Sequence, residues 1–297
     1  MAESKAKQGG STKPEAESKV KKGGSKPDLA SILGLVVGLG GILGGMLLEK
    51  GELRHLYQVS AAIIVLGGTF GAVMVTTPMN VLLRAVKHFM LVFLDPSQSP
   101  AATIEEIIEY ATQARKQGIV SLEQVAGNVA DPFLKKALNL AVDGIEMSQI
   151  RSIMELDLSL VEHDGEAEAK VYEAAGGYAP TIGIIGAVIG LIHVMQNLAD
   201  IEAVGKGIAG AFVATIYGVG SANLLFLPAG SKLRSRMQAA VQIRELMLEG
   251  VLSIVEGLNP KLIRTKLDAY LVEQHAGGKK AAVAKGGAAG QPVSAEG

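Results

Sequence analysis

Four stretches of this chain run for roughly twenty residues or more without an Asp, Glu, Lys or Arg: Leu29 to Leu48, Val59 to Leu83, Ala174 to Ala199 and Gly207 to Ser231. Each is long enough to cross a hydrocarbon core of about 30 Å at about 1.5 Å per helical residue. Lipid offers no water to an exposed peptide group, so segments that cross it must be helices. The sequence therefore predicts an all-α membrane protein with four transmembrane helices and a helical domain between helices two and three. Composition agrees, with 48% hydrophobic residues, 19% charged residues and a mean hydropathy of +0.32.

The same composition excludes several chemistries. A net charge of −1 gives no general attraction to nucleic acid. With no Cys, disulfide frameworks, thiolate nucleophiles, zinc ribbons and iron–sulfur clusters are ruled out, and five His leave little for a multi-His metal site. No cofactor, metal site or enzyme activity is expected.

Lys and Arg near the span ends set the orientation. Lys19, Lys21, Lys22 and Lys26 precede span one, Arg84 and Lys87 follow span two, Lys170 precedes span three, and Lys232, Arg234 and Arg236 follow span four. The other side carries Lys50, Arg54 and Lys206 mixed with Glu49, Glu52, Asp200 and Glu202. Both termini and the long middle segment are therefore assigned to the cytoplasm of a multi-pass inner-membrane protein. The expected organisation is a disordered arm over 1–27, spans one and two in 28–86, a helical cytoplasmic domain over 87–173, spans three and four in 174–231, a C-terminal helix over 232–275 and a disordered tail over 276–297.

Within the middle segment, Thr103 followed by Glu106 reads as a capping box, and Ile104, Ile107, Ile108 and Ala111 repeat at helical spacing until Gly118. Ser121 with Gln124 opens a second helix in the same way. Asp131-Pro132 reads as an N-cap followed by Pro at the first helical position, and Ser148 starts a long amphipathic run into span three.

The spans lack the ionisable residues by which ion carriers usually announce themselves; His193, two turns from Asp200, is their single readily titrating side chain. They carry small residues four apart instead: Gly34 and Gly38, Gly40 and Gly44, Gly41 and Gly45, Gly67 and Gly71, Gly186 and Gly190, and the run Gly210, Ala214, Gly218, Ala222. Such rows let backbones approach closely, within a subunit or between subunits. If the assembly moves ions, the charged carrier must come from another chain. Pro180 and Pro228 stand at matched depth near the cytoplasmic ends of spans three and four, and Pro78 lies within span two; each invites a kink.

Tyr178-Ala179-Pro180-Thr181-Ile182-Gly183-Ile184-Ile185-Gly186-Ala187-Val188-Ile189-Gly190, Thr215-Ile216-Tyr217-Gly218 with Pro228, Arg115-Lys116-Gln117-Gly118 and Ser121-Leu122-Glu123 together resemble the MotA/PomA family of bacterial flagellar stator subunits, over roughly residues 29 to 270. The resemblance implies a homopentamer around two copies of a MotB/PomB-like single-span partner, whose ion-binding Asp and peptidoglycan-binding domain complete a torque-generating unit. It further implies that Arg115, Lys116 and Glu123 contact a FliG-type rotor protein, and that Pro180 and Pro228 couple ion binding to movement of the cytoplasmic domain. Gln124 departs from members that carry a second acid there. Thr215 matches a Thr of span four, whereas sodium-driven members carry a Thr where this chain has Ala187. A methyl group removes an oxygen that sodium would want, so protons are expected.

Three other readings stand beside this one. ExbB/TolQ-like energy transducers have one span before the cytoplasmic domain rather than two. A stand-alone channel or carrier would have to use only Thr, Ser, Asn and His193. An intramembrane protease would need paired Asp or a Ser/His couple at span depth.

Overall fold

The structure, a computed structural model, describes residues 26–51, 53–95 and 99–270. Most of the two expected tails lies outside these residues. Lys26 and Pro27, at the end of the expected arm, pair antiparallel with Asp95 and Leu94.

Helix α1 spans Leu29–Leu48 and starts at Asp28, whose side chain accepts from the amides of Ala30 (3.2 Å) and Ser31 (3.3 Å). Helix α2 covers Val59–Thr76 and contains a widened π turn at Ile63–Gly67. It stops earlier than the apolar run suggests. Thr77 is extended (φ −126°, ψ 132°) because a residue before proline is pushed out of the helical region, so Pro78 ends the helix rather than kinking it. A separate helix, α3, follows at Met79–His88.

Helix α4 (Pro100–Gln117) begins one turn before the expected capping box, because the proline's fixed φ suits the first helical position. The Thr103 hydroxyl donates back to the Ser99 carbonyl instead of capping. Gly118, with φ +84°, ends α4 in a conformation that favours glycine. Ser121 is itself helical and caps nothing; its hydroxyl donates to the Gly118 carbonyl at 2.7 Å, and α5 occupies Leu122–Ala126. Asp131 does cap α6 (Pro132–Val142), accepting from Phe133 at 2.8 Å and Leu134 at 3.2 Å.

Two long antiparallel helices organise everything else. Helix α7 spans Met147–Gln196 and α8 spans Ile201–Val255, with 50 and 55 residues. At about 1.5 Å per residue each exceeds twice the thickness of a hydrocarbon core. The outer half of each pair is apolar and the other half reaches into a helical head. The C-terminal helix expected over 232–275 is thus the continuation of span four as far as Val255. A turn at Gly257 (φ +78°) then separates it from α9, residues 260–270.

The head is closed by an apolar core from segments distant in sequence. Ile104 and Ile107 of α4, Leu134 and Leu138 of α6, Ile150 and Met154 of α7, Leu246 and Leu252 of α8 and Ile263 of α9 are all fully or almost fully buried. The spans are the opposite case. No residue of α1 is buried, and Val36, Leu47, Ile192 and Phe212 are among many large apolar side chains left exposed. So extended an apolar surface needs lipid or other protein to cover it.

Candidate functional site

The closest backbone approach lies between the apolar halves of α7 and α8. A Cβ placed on Gly183 would sit 3.0 Å from the Ala214 carbonyl oxygen, and one on Gly190 would sit 3.1 Å from the Gly207 carbonyl oxygen. On the facing helix, a Cβ on Gly218 would lie 2.5 Å from the Ala179 carbonyl oxygen. The seam therefore uses Gly183, Gly186 and Gly190 on α7 against Gly207, Ala211, Ala214 and Gly218 on α8. This differs from the expected row on α8. Gly210 turns to α2, where the Gln58 side chain lies against it, and the seam instead follows a mixed three-and-four spacing that tracks the helix face. Gly40, Gly41, Gly44 and Gly45 of α1 have open space beside them, so their two rows are not used within the subunit, whereas in the Gly34 and Gly38 row only Gly38 makes a contact, with the Leu224 side chain of α8.

The expected coupling residues flank this seam. Pro180 is half-buried in an unbroken α7, beside Ala179, whose carbonyl faces Gly218. Ala187 and Thr215 are also half-buried, and the Thr215 hydroxyl donates to the Ala211 carbonyl at 3.2 Å. Pro228 is exposed and follows a π turn at Ala222–Phe226. The widened turn makes room where a proline ring would strike the carbonyl four residues earlier. Leu227 packs against Gly176, one turn before Pro180, so the two prolines are staggered by about one helical turn.

At the far end of the seam a cavity of about 360 Å³ is lined by Gln58, Ser60, His193, Lys206 and Gly210, among others. His193 is exposed there and is not held by Asp200. Asp200 is instead the N-cap of α8, accepting from Glu202 at 3.0 Å and Ala203 at 3.1 Å. Gln58 Oε1 is buried without a hydrogen-bond partner, as is the hydroxyl of Thr69 in α2. Tyr217 pins the entry to α2 by donating to the Leu56 carbonyl. Among the described residues no cluster of three His, Asp or Glu suits a metal ion.

Where the spans meet the head, a polar network was not anticipated from the sequence. Arg84 of α3 grips Asp164 through two hydrogen bonds of 2.6 and 3.0 Å, and the nearby Glu168 carboxylate, almost buried, lies 2.6 Å from His88 Nδ1. Tyr172 donates to the Ala85 carbonyl at 2.7 Å and stacks on Phe89; burial pushes its phenol up to about 12. Asp28 closes a second junction, with Lys232 Nζ at 2.5 Å and Arg236 Nη2 at 2.8 Å from one oxygen. The hydrogen bond from Lys232 holds that carboxyl well below the usual carboxylate range, against the opposing effect of desolvation. Both networks use carboxylates far in sequence from their partners, so spacing gave no signal.

At the other pole of the head, Arg115 and Lys116 end α4 and Glu123 lies in the first turn of α5. All three are exposed, and their side chains make no hydrogen bond or ion pair with another described residue. Buried Leu122 and half-buried Ile119 anchor the turn that presents them, and Gln113 Nε2 donates across it to the Ser121 carbonyl at 3.0 Å. Each charge also has the sign its helix end favours.

Comparison with known proteins points the same way. Residues 125–246 match the MotA/TolQ/ExbB proton channel family, and residues 32–118 match the Motility protein A N-terminal family. Motility protein A of Bacillus subtilis is 36% identical over 248 residues, covering 82% of this chain and 91% of the relative. Chemotaxis protein PomA of Vibrio alginolyticus is 33% identical over 246 residues, covering 83% and 96%. The fold is similar to the structure of C. jejuni MotAB, with TM-score 0.79, 32% identity and coverage of 82% and 95%. It is also similar to the flagellar MotAB stator complex from Bacillus subtilis, with TM-score 0.77, 36% identity and coverage of 82% and 96%.

Proposed function

The chain belongs to the MotA/TolQ/ExbB proton channel family and is a flagellar stator subunit, and we propose that it forms the uncharged side of a proton path whose acidic carrier stands on a MotB-like partner. It is a multi-pass protein of the bacterial inner membrane. The match of residues 32–118 to the Motility protein A N-terminal family, with two spans before the head, sets it apart from the ExbB/TolQ-like alternative.

The observation that carries the reading is a close-packed Gly/Ala seam in spans that hold no carboxylate and no fixed cation. Such a wall can shape a path and exclude water, but it cannot bind and release a proton by itself. The acid must then be supplied by the partner. A unit charge falling through 100 mV delivers about 2.3 kcal/mol, so each transfer drives one small step.

In this mechanism Pro180 and Pro228 lie where α7 and α8 leave the membrane for the head, so a change at the seam is carried along two unbroken helices into the head. Ala187 offers no oxygen, so the seam lacks one ligand that sodium would want, which favours protons. The termini and the head are in the cytoplasm, following the Lys/Arg distribution. Arg115, Lys116 and Glu123 then meet a FliG-type rotor protein, in a ring of five subunits. Exposed pairs of that kind are individually weak, which suits contacts made and broken at each step.

Reconstitution in liposomes tests the proposal. The chain alone should be electrically silent, and the complex with a MotB-like partner should carry a proton current that survives removal of sodium. Selective current from the chain alone, or dependence on sodium, would overturn it.

A further inference from the structure

Between the first half of α1 and the widened turn of α8 lies a cavity of about 380 Å³, lined by Ala30, Gly34, Leu35, Phe93, Leu224 and Pro228, with Lys232 at one end. That volume falls in the range of about 300–1,000 Å³ typical of small-ligand pockets. Its outer wall is α1, a helix with no buried residue, so the cavity borders the surface that faces lipid.

The polar groups around it are already engaged, with one exception. Ser31 donates to Asp28 at 3.0 Å and Asn223 Nδ2 donates to the Val219 carbonyl at 2.9 Å. Arg236 is occupied by the Leu94 carbonyl and Asp28. Among the described residues Lys232 makes one contact, to Asp28, and an ammonium has three donors. Among the described side chains two cations share one carboxylate here, which leaves an excess positive charge among them at the end of an apolar slot.

We propose that this cavity is a site for an anionic phospholipid, with one acyl chain in the slot and the phosphate on the spare donors of Lys232. The proposal rests on the orientation given above, which places this end at the cytoplasmic leaflet. Asp28 immediately precedes the first span and Lys232 immediately follows the last, so headgroup and chain meet the cation and the apolar wall at matching depths. Basic pockets between spanning helices on that side are a recurrent means of holding anionic headgroups.

The test uses the full complex with its MotB-like partner in phosphatidylcholine nanodiscs. A trace of photoactivatable phosphatidylglycerol is compared with photoactivatable phosphatidylcholine, and crosslinks are mapped by mass spectrometry. Phosphatidylglycerol should label residues 30–35 and 223–229 at least about fivefold more than phosphatidylcholine. Lys232→Gln should bring that ratio close to one. Gly34→Phe, which enters open space, should remove labelling by both lipids. Equal labelling by the two headgroups in the wild type, no labelling, or crosslinks to a second copy of the chain in place of lipid would overturn the site. The reconstituted proton current reports separately on the stator reading, so a conducting complex with equal labelling refutes the lipid site alone.

Discussion

Gly218→Ala adds one methyl group at the tightest point of the α7–α8 seam. Its Cβ would fall 2.5 Å from the Ala179 carbonyl oxygen and 3.0 Å from Gly183 Cα, where carbon contacts prefer about 3.5–4.0 Å. Both neighbours are backbone, so neither can rotate aside. The helices must part by roughly 1 Å, and a gap of that size forfeits about a quarter to a half of each dispersion contact along the seam. Overpacking of this kind costs about 1–3 kcal/mol. Lipid tails are as apolar as the side chains, so no hydrophobic drive restores the contact. For a chain of this size the loss corresponds to a fall in Tm of roughly 2–12 °C. The assay is size-exclusion chromatography of the purified complex after stepwise heating, with swim-plate diameter as a second readout. Gly220→Ala is the control, because nothing lies within 4 Å of the added atom. If Gly218→Ala melts within 1 °C of both Gly220→Ala and the wild type, the close approach of these helices is wrong.

Three further outcomes are expected. Arg115→Glu should leave membrane insertion intact and lower Tm by no more than a few degrees, since Arg115 is exposed with no partner among the described residues and loses only a favourable helix-end charge, yet impair swimming; normal torque measured on tethered cells would remove Arg115 from the rotor contact. Pro180→Leu should still co-purify with the MotB-like partner but fail to rotate the motor, and a fully motile mutant would defeat the coupling role. Asp28→Asn keeps a good N-cap but loses the ion pairs to Lys232 and Arg236. Because Asp28 is depressed in the folded chain, its stabilisation is present above its ordinary value of 3.8 and is lost only as pH falls through the lower folded value. The Tm deficit of Asp28→Asn should therefore stay constant between pH 5 and pH 8; a deficit that disappears by pH 5 would show that Asp28 is not held as described.

Much of the architecture is legible in residue order alone. Uninterrupted apolar runs locate the spans, and Gly118 and Asp131-Pro132 mark where α4 ends and α6 begins. These features depend on neighbours a few residues apart. Local signals fail where a second local rule competes: Pro100 starts α4 before Thr103 can cap it, and Pro78 ends α2 inside a continuous apolar run. The positions of Arg115, Lys116, Glu123, Pro180, Ala187, Thr215 and Pro228 came from family resemblance, and the structure supplies their surroundings.

By itself, the sequence determines which segments enter lipid and that no fixed charge goes with them, because transfer from water is a property of each residue and adds along a run. Only the tertiary structure decides which glycine face becomes the seam, and that Asp28 meets Arg236 across 208 residues of chain. It also decides where α2 and α8 widen into π turns. These depend on how two long helices slide and rotate against each other, a choice made by contacts between residues that are never neighbours in the chain.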